Sequence, residues 1–390
     1  MRVLHTSDWH LGRRFHGASL AVEQAAAMAG IVDVVRAEGV DVVVVAGDLY
    51  DRQLPPLDAV ALLSETLEAL RDAGAVVVAV AGNHDSGRRL GFGRALFARA
   101  GVHVVGDMRA AGLPVVLPST DAGPDLAVYP VPYLEPEVAR HALGVPETRS
   151  HHGLLRHALD RARADLAARG PLRSVATAHA FASGGTPCDS ERVLAMGGAD
   201  RVGLGVLGGF DYVALGHLHG RQVLADGRIR YSGSPLPYSF SERDHVKGVW
   251  VVDLPARGSL RVEGVDLPVG RPLAALRGTL DELLADRALG PTEQSWVQVT
   301  LTDADLPRDA MARLRRRFPH AVTLAHEPPD GAAGSAGSYR DRVRGLDDAV
   351  LVDRFVHDVT GRALTVDEAQ DCAAARDEVL RGAGLQESAA

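Results

Sequence analysis

Val42-Val-Val-Val-Ala-Gly-Asp48 is the stretch that decides the fold. Val42 to Ala46 is apolar, mostly β-branched and too short for a helix, so it reads as a strand buried on one or both faces. It then turns at a glycine and leaves a carboxylate at its carboxyl end. The same grammar recurs on either side. Val3-Leu4 leads to Asp8-Trp-His10, and Val76 to Val80 leads to Gly82-Asn-His-Asp85. Val175 to Ala178 leads to His179, and Tyr212 to Leu215 leads to Gly216-His-Leu-His219. Val102 to Val105, Leu126 to Val131, Ile229 to Tyr231 and Val249 to Val252 supply further strands. Ala18 to Arg36 and Leu57 to Asp72 show apolar spacing of about 3.6 and read as helices. Strand and helix alternate early and strands crowd later, which implies a layered α/β protein with a partly antiparallel sheet.

In such folds ligands collect at the carboxyl ends of strands. Asp8, His10, Asp48, Asn83, His84, His179, His217 and His219 would then converge. Carboxylate, imidazole and amide oxygen suit manganese, magnesium, iron or zinc, and no thiolate accompanies them. Asp8 and His10 are two apart, as are His217 and His219, so each pair points one way in extended chain. Gly47, Gly82 and Gly216 let the chain turn beside the ions. Singly, each motif has an ordinary reading: a cap, a turn dipeptide, a core histidine. The ordered set at strand ends is what points to a metal site.

Bulk properties set the frame. The chain has 390 residues, 46% apolar and 24% charged, enough for two or three globular domains. A net charge of −8 excludes coating nucleic acid by total charge, but not a local positive groove. Lys247 is the single lysine among 42 basic residues, a bias that a GC-rich genome explains, so arginine clusters weigh little. That single lysine lies in Val246-Lys-Gly248, so there is no Gly-x-x-x-x-Gly-Lys-[Ser/Thr] phosphate loop, and ATP is not expected to bind. Cys188 and Cys372 stand far apart, with no disulfide framework or thiolate zinc motif. No charged-then-apolar leader and no run of about 18 apolar residues is present, so a cytoplasmic location is expected.

Composition changes near residue 260. Pro272 to Leu284 reads as a helix, Trp296 to Leu301 as a strand, Asp309 to Phe318 as a helix and Ala321 to Ala325 as a strand. Glu327 to Ser338 is a linker by composition. Beyond it, a helix carrying Val350, Leu351, Phe355, Val356 and Val359 ends at Gly361. A second opens on Thr365-Val-Asp-Glu368, a capping box, and runs to about Leu380. Such a hairpin would dock either on its own protein or on a partner.

The ordered series Asp-x-His, Gly-Asp, Gly-Asn-His-Asp, His, Gly-His-x-His resembles the calcineurin-like metallophosphoesterases. Ser7-Asp-Trp-His-Leu-Gly-Arg-Arg-Phe-His-Gly17, Gly82-Asn-His-Asp-Ser86 with Arg88-Arg89-Leu90, and Tyr231-Ser-Gly-Ser-Pro-Leu-Pro-Tyr-Ser-Phe240 narrow the resemblance to the SbcD family, the nuclease subunits of bacterial SbcC–SbcD complexes. The resemblance implies an α/β fold: a layered metallophosphoesterase β-sandwich flanked by helices, with a small α/β capping domain and a C-terminal helical hairpin. The expected boundaries are 1–260 for the nuclease domain, 265–326 for the cap, 327–345 for the linker and 346–384 for the hairpin.

The resemblance also implies roles. Asp8, His10, Asp48 and His219 would hold one cation, and Asp48, Asn83, His179 and His217 the other, with Asp48 shared. The two divalent cations would be manganese, with magnesium the alternative. His84 would face the scissile phosphate as the catalytic residue. Asp85 would orient His84 or cap the following turn. Some relatives place a second histidine where this chain has Asp51, which leaves a two-histidine mechanism in doubt. Arg13, Arg14, Arg88, Arg89 and Arg221 adjoin the motifs and are candidates for DNA phosphates. Trp9, Phe15, Tyr238 and Phe240 would stack on bases or pack around the loops. Arg313 to Arg317 reads as a solvated helix face. His5, His103, His151, His152 and His157 fit no motif and read as core or surface.

The activity implied is a manganese-dependent 3′–5′ exonuclease on double-strand DNA and an endonuclease on single strands and hairpins, serving DNA repair, recombination and replication. The implied partners are DNA, an SbcC-type SMC-like ATPase held by the hairpin, and a second copy in a homodimer formed by helices in the first 110 residues. A phosphodiesterase or phosphatase acting on small phosphoesters is the enzyme alternative. A binding scaffold with a structural metal shell is the non-enzyme one.

Overall fold

The valine run divides by parity. Val42 and Val44 enter a core with Val3, Val78, Leu126, Val128, Val175 and Tyr212. Val43 and Val45 enter another, with Met28, Ile31, Val35, Leu63 and Leu70. Successive strand residues point to opposite faces, so the strand needs apolar side chains on both.

The structure is a computed structural model that describes residues 1–191, 201–256, 258–329, 346–360 and 362–387. One six-stranded sheet runs Arg261–Asp266, Gly248–Asp253, Arg2–Thr6, Val42–Val45, Val76–Val80, Val102–Val105. The last four are parallel and the first two antiparallel additions. The second sheet runs Gln222–Leu224, Ile229–Tyr231, Tyr212–Gly216, Arg173–His179, Leu126–Val131, Val115–Leu117. Its four central strands are parallel and its edges antiparallel.

The Val42-parity core lies between the sheets. Helices Ala21–Glu38 and Leu57–Asp72 cover the outer face of the first sheet. Helix His151–Arg169 covers the second sheet through Leu154, Leu155, Ala158, Leu159 and Ala162. The expected layered β-sandwich flanked by helices is therefore present. Its first sheet includes Arg261–Asp266, past residue 260.

His5 sits inside the sandwich. Its Nε2–H donates to the Leu215 carbonyl at 3.1 Å, and the Tyr212 hydroxyl donates to its Nδ1 at 2.9 Å. It is a core residue that ties the sheets together.

A third, parallel sheet comprises Leu273–Gly278, Trp296–Leu301 and Ala321–His326. The helix expected over Pro272 to Leu284 is corrected: the first half is a strand and only Leu280–Ala285 is helical. Parallel pairing with Trp296–Leu301 claims Leu273 to Gly278. The helix then starts where Thr279 and Glu282 form a capping box. Leu276, Leu280, Leu283, Val297, Leu314 and Phe318 make this module's core. Trp296 packs instead into the first core, its ring 5.6 Å from that of Phe15.

Helices Asp348–Thr360 and Val366–Glu387 belong to a separate compact unit. The Thr365 hydroxyl accepts from the Glu368 N–H at 3.3 Å, and Glu368 accepts from the Thr365 N–H at 2.9 Å. The capping box thus starts the second helix as expected, and the helix continues past Leu380 to Glu387. Gly361 and residues 330–345 of the expected linker lie outside the described residues. Among the described residues no helix is long and apolar enough to cross a membrane.

Candidate metal centre

Five loops leave parallel strands and meet. The loops at Asp8 and Asp48 are zipped together by the backbone: Asp8 N–H donates to the Gly47 carbonyl at 3.0 Å, and His10 N–H to that of Asp48 at 2.9 Å. Asp8, His10, Asp48 and His217 all have positive φ, at 54°, 44°, 49° and 107°. Left-handed backbone at a non-glycine residue costs about 1–3 kcal/mol and gathers at functional sites.

The glycines serve close approach more than turning. Gly47 has a φ of 102°, and a Cβ there would also stand 2.3 Å from His179 Nδ1. At Gly82 a Cβ would meet Asp48 Oδ1 at 2.1 Å, and at Gly216 the Ala46 carbonyl oxygen at 1.9 Å. The expected sharp turning therefore holds for Gly47. Gly82 and Gly216 are needed because another loop occupies the space.

Asp8, His10, Asp48, His84, His179, His217 and His219 are all buried, with Asn83 half-buried. Donor atoms of Asp8, His10 and His219 lie within 4.8 Å of one another, as do those of Asp8, Asp48 and His179, and of His10, Asp48 and His84. His10 Nε2 faces His219 Nε2 at 3.1 Å. His179 Nδ1–H donates to the Ala46 carbonyl at 2.9 Å, which turns Nε2 toward Asn83 Oδ1 at 2.8 Å and Asp48 Oδ2 at 3.3 Å. The His217 ring stands 5.4 Å from that of His179. His10 Nδ1 is buried with no hydrogen-bond partner among the described residues.

This donor set fits cations. Nitrogen and oxygen lone pairs of carboxylates, imidazoles and an amide converge in a buried volume. Buried charge of one sign demands a counter-charge. The titration behaviour carries the same stress. Burial pushes Asp8 up to about 6. Burial lowers His10 and His217 well below the usual imidazole value. Burial opposes the charged forms of both Asp48 and His179, yet their proximity holds Asp48 low and His179 high.

His84 and Asp85 separate clearly. His84 Nδ1–H donates to the Asp51 carbonyl at 2.7 Å, and its ring stands edge-on 4.6 Å from that of His10. Asp85 accepts from the N–H groups of Leu49 at 3.1 Å, Tyr50 at 3.0 Å and Gly82 at 2.9 Å. It ties the Asp48 loop to the Asn83 loop, and none of these three donors belongs to the turn that follows Asp85, where a cap was the expected alternative.

The arginines divide too. Arg88 and Arg89 are exposed beside the Asn83 loop. Arg14 is exposed and donates to the Gly17 carbonyl. Arg13 holds the Ser190 carbonyl at 3.0 Å and lies over the Tyr238 ring at 4.9 Å. Arg221 pairs with Asp266 at 2.6 Å and lies 5.1 Å from the Trp250 ring. Arg13 and Arg221 are thus engaged within the fold. Trp9, Phe15, Tyr238 and Phe240 are buried, so they pack the loops and present no face for bases.

Sequence reading missed the residues behind His219. Ser190, Glu191, Glu242 and Lys247 surround its far side. The one available signal was Lys247, the single lysine.

Comparison with known proteins agrees with this layout. The calcineurin-like phosphoesterase family matches residues 1–221. The family described as the Type 5 capsule protein repressor C-terminal domain matches residues 269–360. The chain is 35% identical to the SbcD subunit of the SbcCD nuclease of Bacillus subtilis, over 83% of this chain and 85% of that protein. It is 31% identical to the SbcD nuclease subunit of Escherichia coli K12, over 81% of each. The protein of the same name from Staphylococcus saprophyticus is 27% identical over 95% of this chain and 96% of that one.

Proposed function

The chain belongs to the calcineurin-like phosphoesterases, among the SbcD subunits of SbcCD nucleases, and from that premise we propose that it is a manganese nuclease cutting DNA with two ions at the Asp48 cluster. As a member of that family it is a metal-dependent phosphodiesterase. The observation that carries the site assignment is the buried convergence of His10, His219, Asp8, Asp48 and His179 donor atoms.

Asp8, His10, Asp48 and His219 would hold one ion, and Asp48, Asn83, His179 and His217 the other. When bound, such a pair supplies Lewis-acid polarisation of a phosphodiester and a water of lowered pKa. The protein's own part is orientation and exclusion. Asp85 and the loop-to-loop backbone bonds hold Asp48 in place. Gly47 and Gly82 let His179 and Asp48 approach backbone that any side chain would block. His84 uses Nδ1 on the Asp51 carbonyl, so its Nε2 is the atom we assign to the phosphate or leaving oxygen, as hydrogen-bond or proton donor.

Arg14, Arg88 and Arg89 are the arginines whose exposure suits phosphate contacts. The three-stranded module would cap the DNA. The terminal hairpin would bind an SbcC-type ATPase, since the chain carries no phosphate loop of its own. Exposed Leu57 and Leu96 in the early helices, and Phe92 in the turn before the helix of Leu96, support a homodimer contact there.

The test is turnover of linear duplex DNA against bis-p-nitrophenyl phosphate, each with manganese and with a chelator. Manganese-dependent nucleotide release from DNA supports the reading. Turnover of the small ester alone would assign the chain to small phosphoesters.

A further inference from the structure

Behind His219, on the side away from Asp8 and His10, lies a buried polar chain. Ser190 Oγ is 2.6 Å from His219 Nδ1 and 2.6 Å from Glu242 Oε1. Glu242 Oε2 is paired with Lys247 Nζ, which also donates to the His219 carbonyl at 2.8 Å and the Ser234 hydroxyl at 3.0 Å. Glu242 is 1% exposed, Lys247 8% and Ser190 9%. Cys188 Sγ lies 3.2 Å from Ser190 Oγ, but its thiol donates to Glu191 Oε1 at 3.1 Å. Glu191 Oε1 also accepts the His219 N–H at 2.7 Å.

The proton directions follow from what each group is able to do. An ionised carboxylate only accepts. Ser190 has one hydroxyl proton, so it must donate to Glu242. Its oxygen then accepts from His219, which puts the proton on Nδ1. Nε2 is left with its lone pair, and Nε2 is the atom that faces His10 at 3.1 Å. Lys247 keeps the carboxylate charged and anchors the His219 backbone at once.

We propose that Lys247, Glu242 and Ser190 are positioning residues that fix the Nδ1–H tautomer of His219 and aim its Nε2 at a metal ion. The inference rests on the reading of His219 as a ligand. It also gives a physical reason for lysine at this place in a chain that otherwise uses arginine. An ammonium is compact and points three donors at separate oxygens, whereas a guanidinium is a planar fork that fits no such pocket. Groups of this kind typically change metal affinity 10- to 100-fold when removed.

Glu242→Gln is the sharp test because it keeps the shape. Lys247 would draw the amide oxygen to itself and leave the NH2 facing Ser190. The NH2 would also meet the Tyr238 N–H, which now donates to Glu242 Oε1 at 2.9 Å, but that neutral clash is weaker than one with an ammonium. Ser190 would then donate to Nδ1 and push the imidazole proton onto Nε2. Ser190→Ala is the milder second variant, should Glu242→Gln fold poorly.

The full-length, metal-free protein is titrated with manganese chloride by calorimetry, beside His219→Ala, with thermal melts as a fold check. Glu242→Gln and Ser190→Ala should each weaken one of two ions about 10- to 100-fold and leave the other within about 2-fold, and His219→Ala should weaken the same ion. Wild-type affinity for both ions in the two variants, with loss of one ion in His219→Ala, overturns the positioning role alone. Equal weakening of both ions overturns it as well. Both ions retained by His219→Ala overturns the ligand reading beneath it.

Discussion

The backbone N–H of His84 donates to Oδ1 of Asp48 over 2.9 Å, tying the residue assigned to the phosphate to the carboxylate assigned to both ions. The other oxygen, Oδ2, is 3.3 Å from His179 Nε2 and 3.6 Å from His10 Nε2. One side chain therefore spans both halves of the cluster. Asp48→Ala should lose both ions, measured as manganese per chain by elemental analysis. Two ions retained by that variant would refute the bridge.

His84→Gln should keep fold and metal. The Gln amide is able to donate to the Asp51 carbonyl as Nδ1–H does, but offers no ionisable proton at the position of Nε2. A general acid typically contributes about 100- to 10,000-fold, so DNA cleavage should fall by that order with the metal content unchanged. Full activity would remove His84 from the mechanism.

Much of this site was legible because each motif is local. A strand of valines, a glycine and a carboxylate are contiguous at Val42 to Asp48, and parallel pairing carries that loop to the same edge as Asp8 and Asn83. What failed was non-local. Leu273 to Leu276 carries apolar residues at a spacing that suits a helix, and only pairing with Trp296–Leu301 makes it a strand. Ser190, Glu242 and Lys247 come from separate loops and share no motif. Their relation to His219 exists only after folding.

His5 sets a pH dependence separate from the metal cluster. Burial lowers its pKa from 6.5 to about 3, with Arg230 acting in the same direction and Tyr212 as its hydroxyl partner. The unfolded chain therefore binds a proton that the folded chain refuses, so stability falls as pH drops from 6.5 toward 3. The limiting slope is about 1.4 kcal/mol per pH unit. His5→Gln keeps a donor for Leu215 and an acceptor for Tyr212. Its loss of stability between pH 7 and pH 5 should be smaller than wild type by about 2 kcal/mol. Denaturant melts at the two pH values measure this, and equal losses would contradict it.

Truncation after His326 should spare manganese-dependent cleavage, because the two six-stranded sheets, the three-stranded sheet and their cores lie before that point. The same truncation should abolish co-purification with an SbcC-type ATPase. Undiminished binding would place the contact outside the hairpin of Asp348–Thr360 and Val366–Glu387.

A pair of ions sharing Asp48 is what would make this cluster a phosphodiesterase site. Anomalous diffraction at the manganese edge, on crystals of the full chain grown with manganese, tests it most directly. Two peaks about 3.5–4 Å apart are expected, with Asp48 between them, His219 Nε2 on one, His179 Nε2 on the other and His84 on neither. A single peak, or two peaks with Asp48 bound to only one, would contradict it.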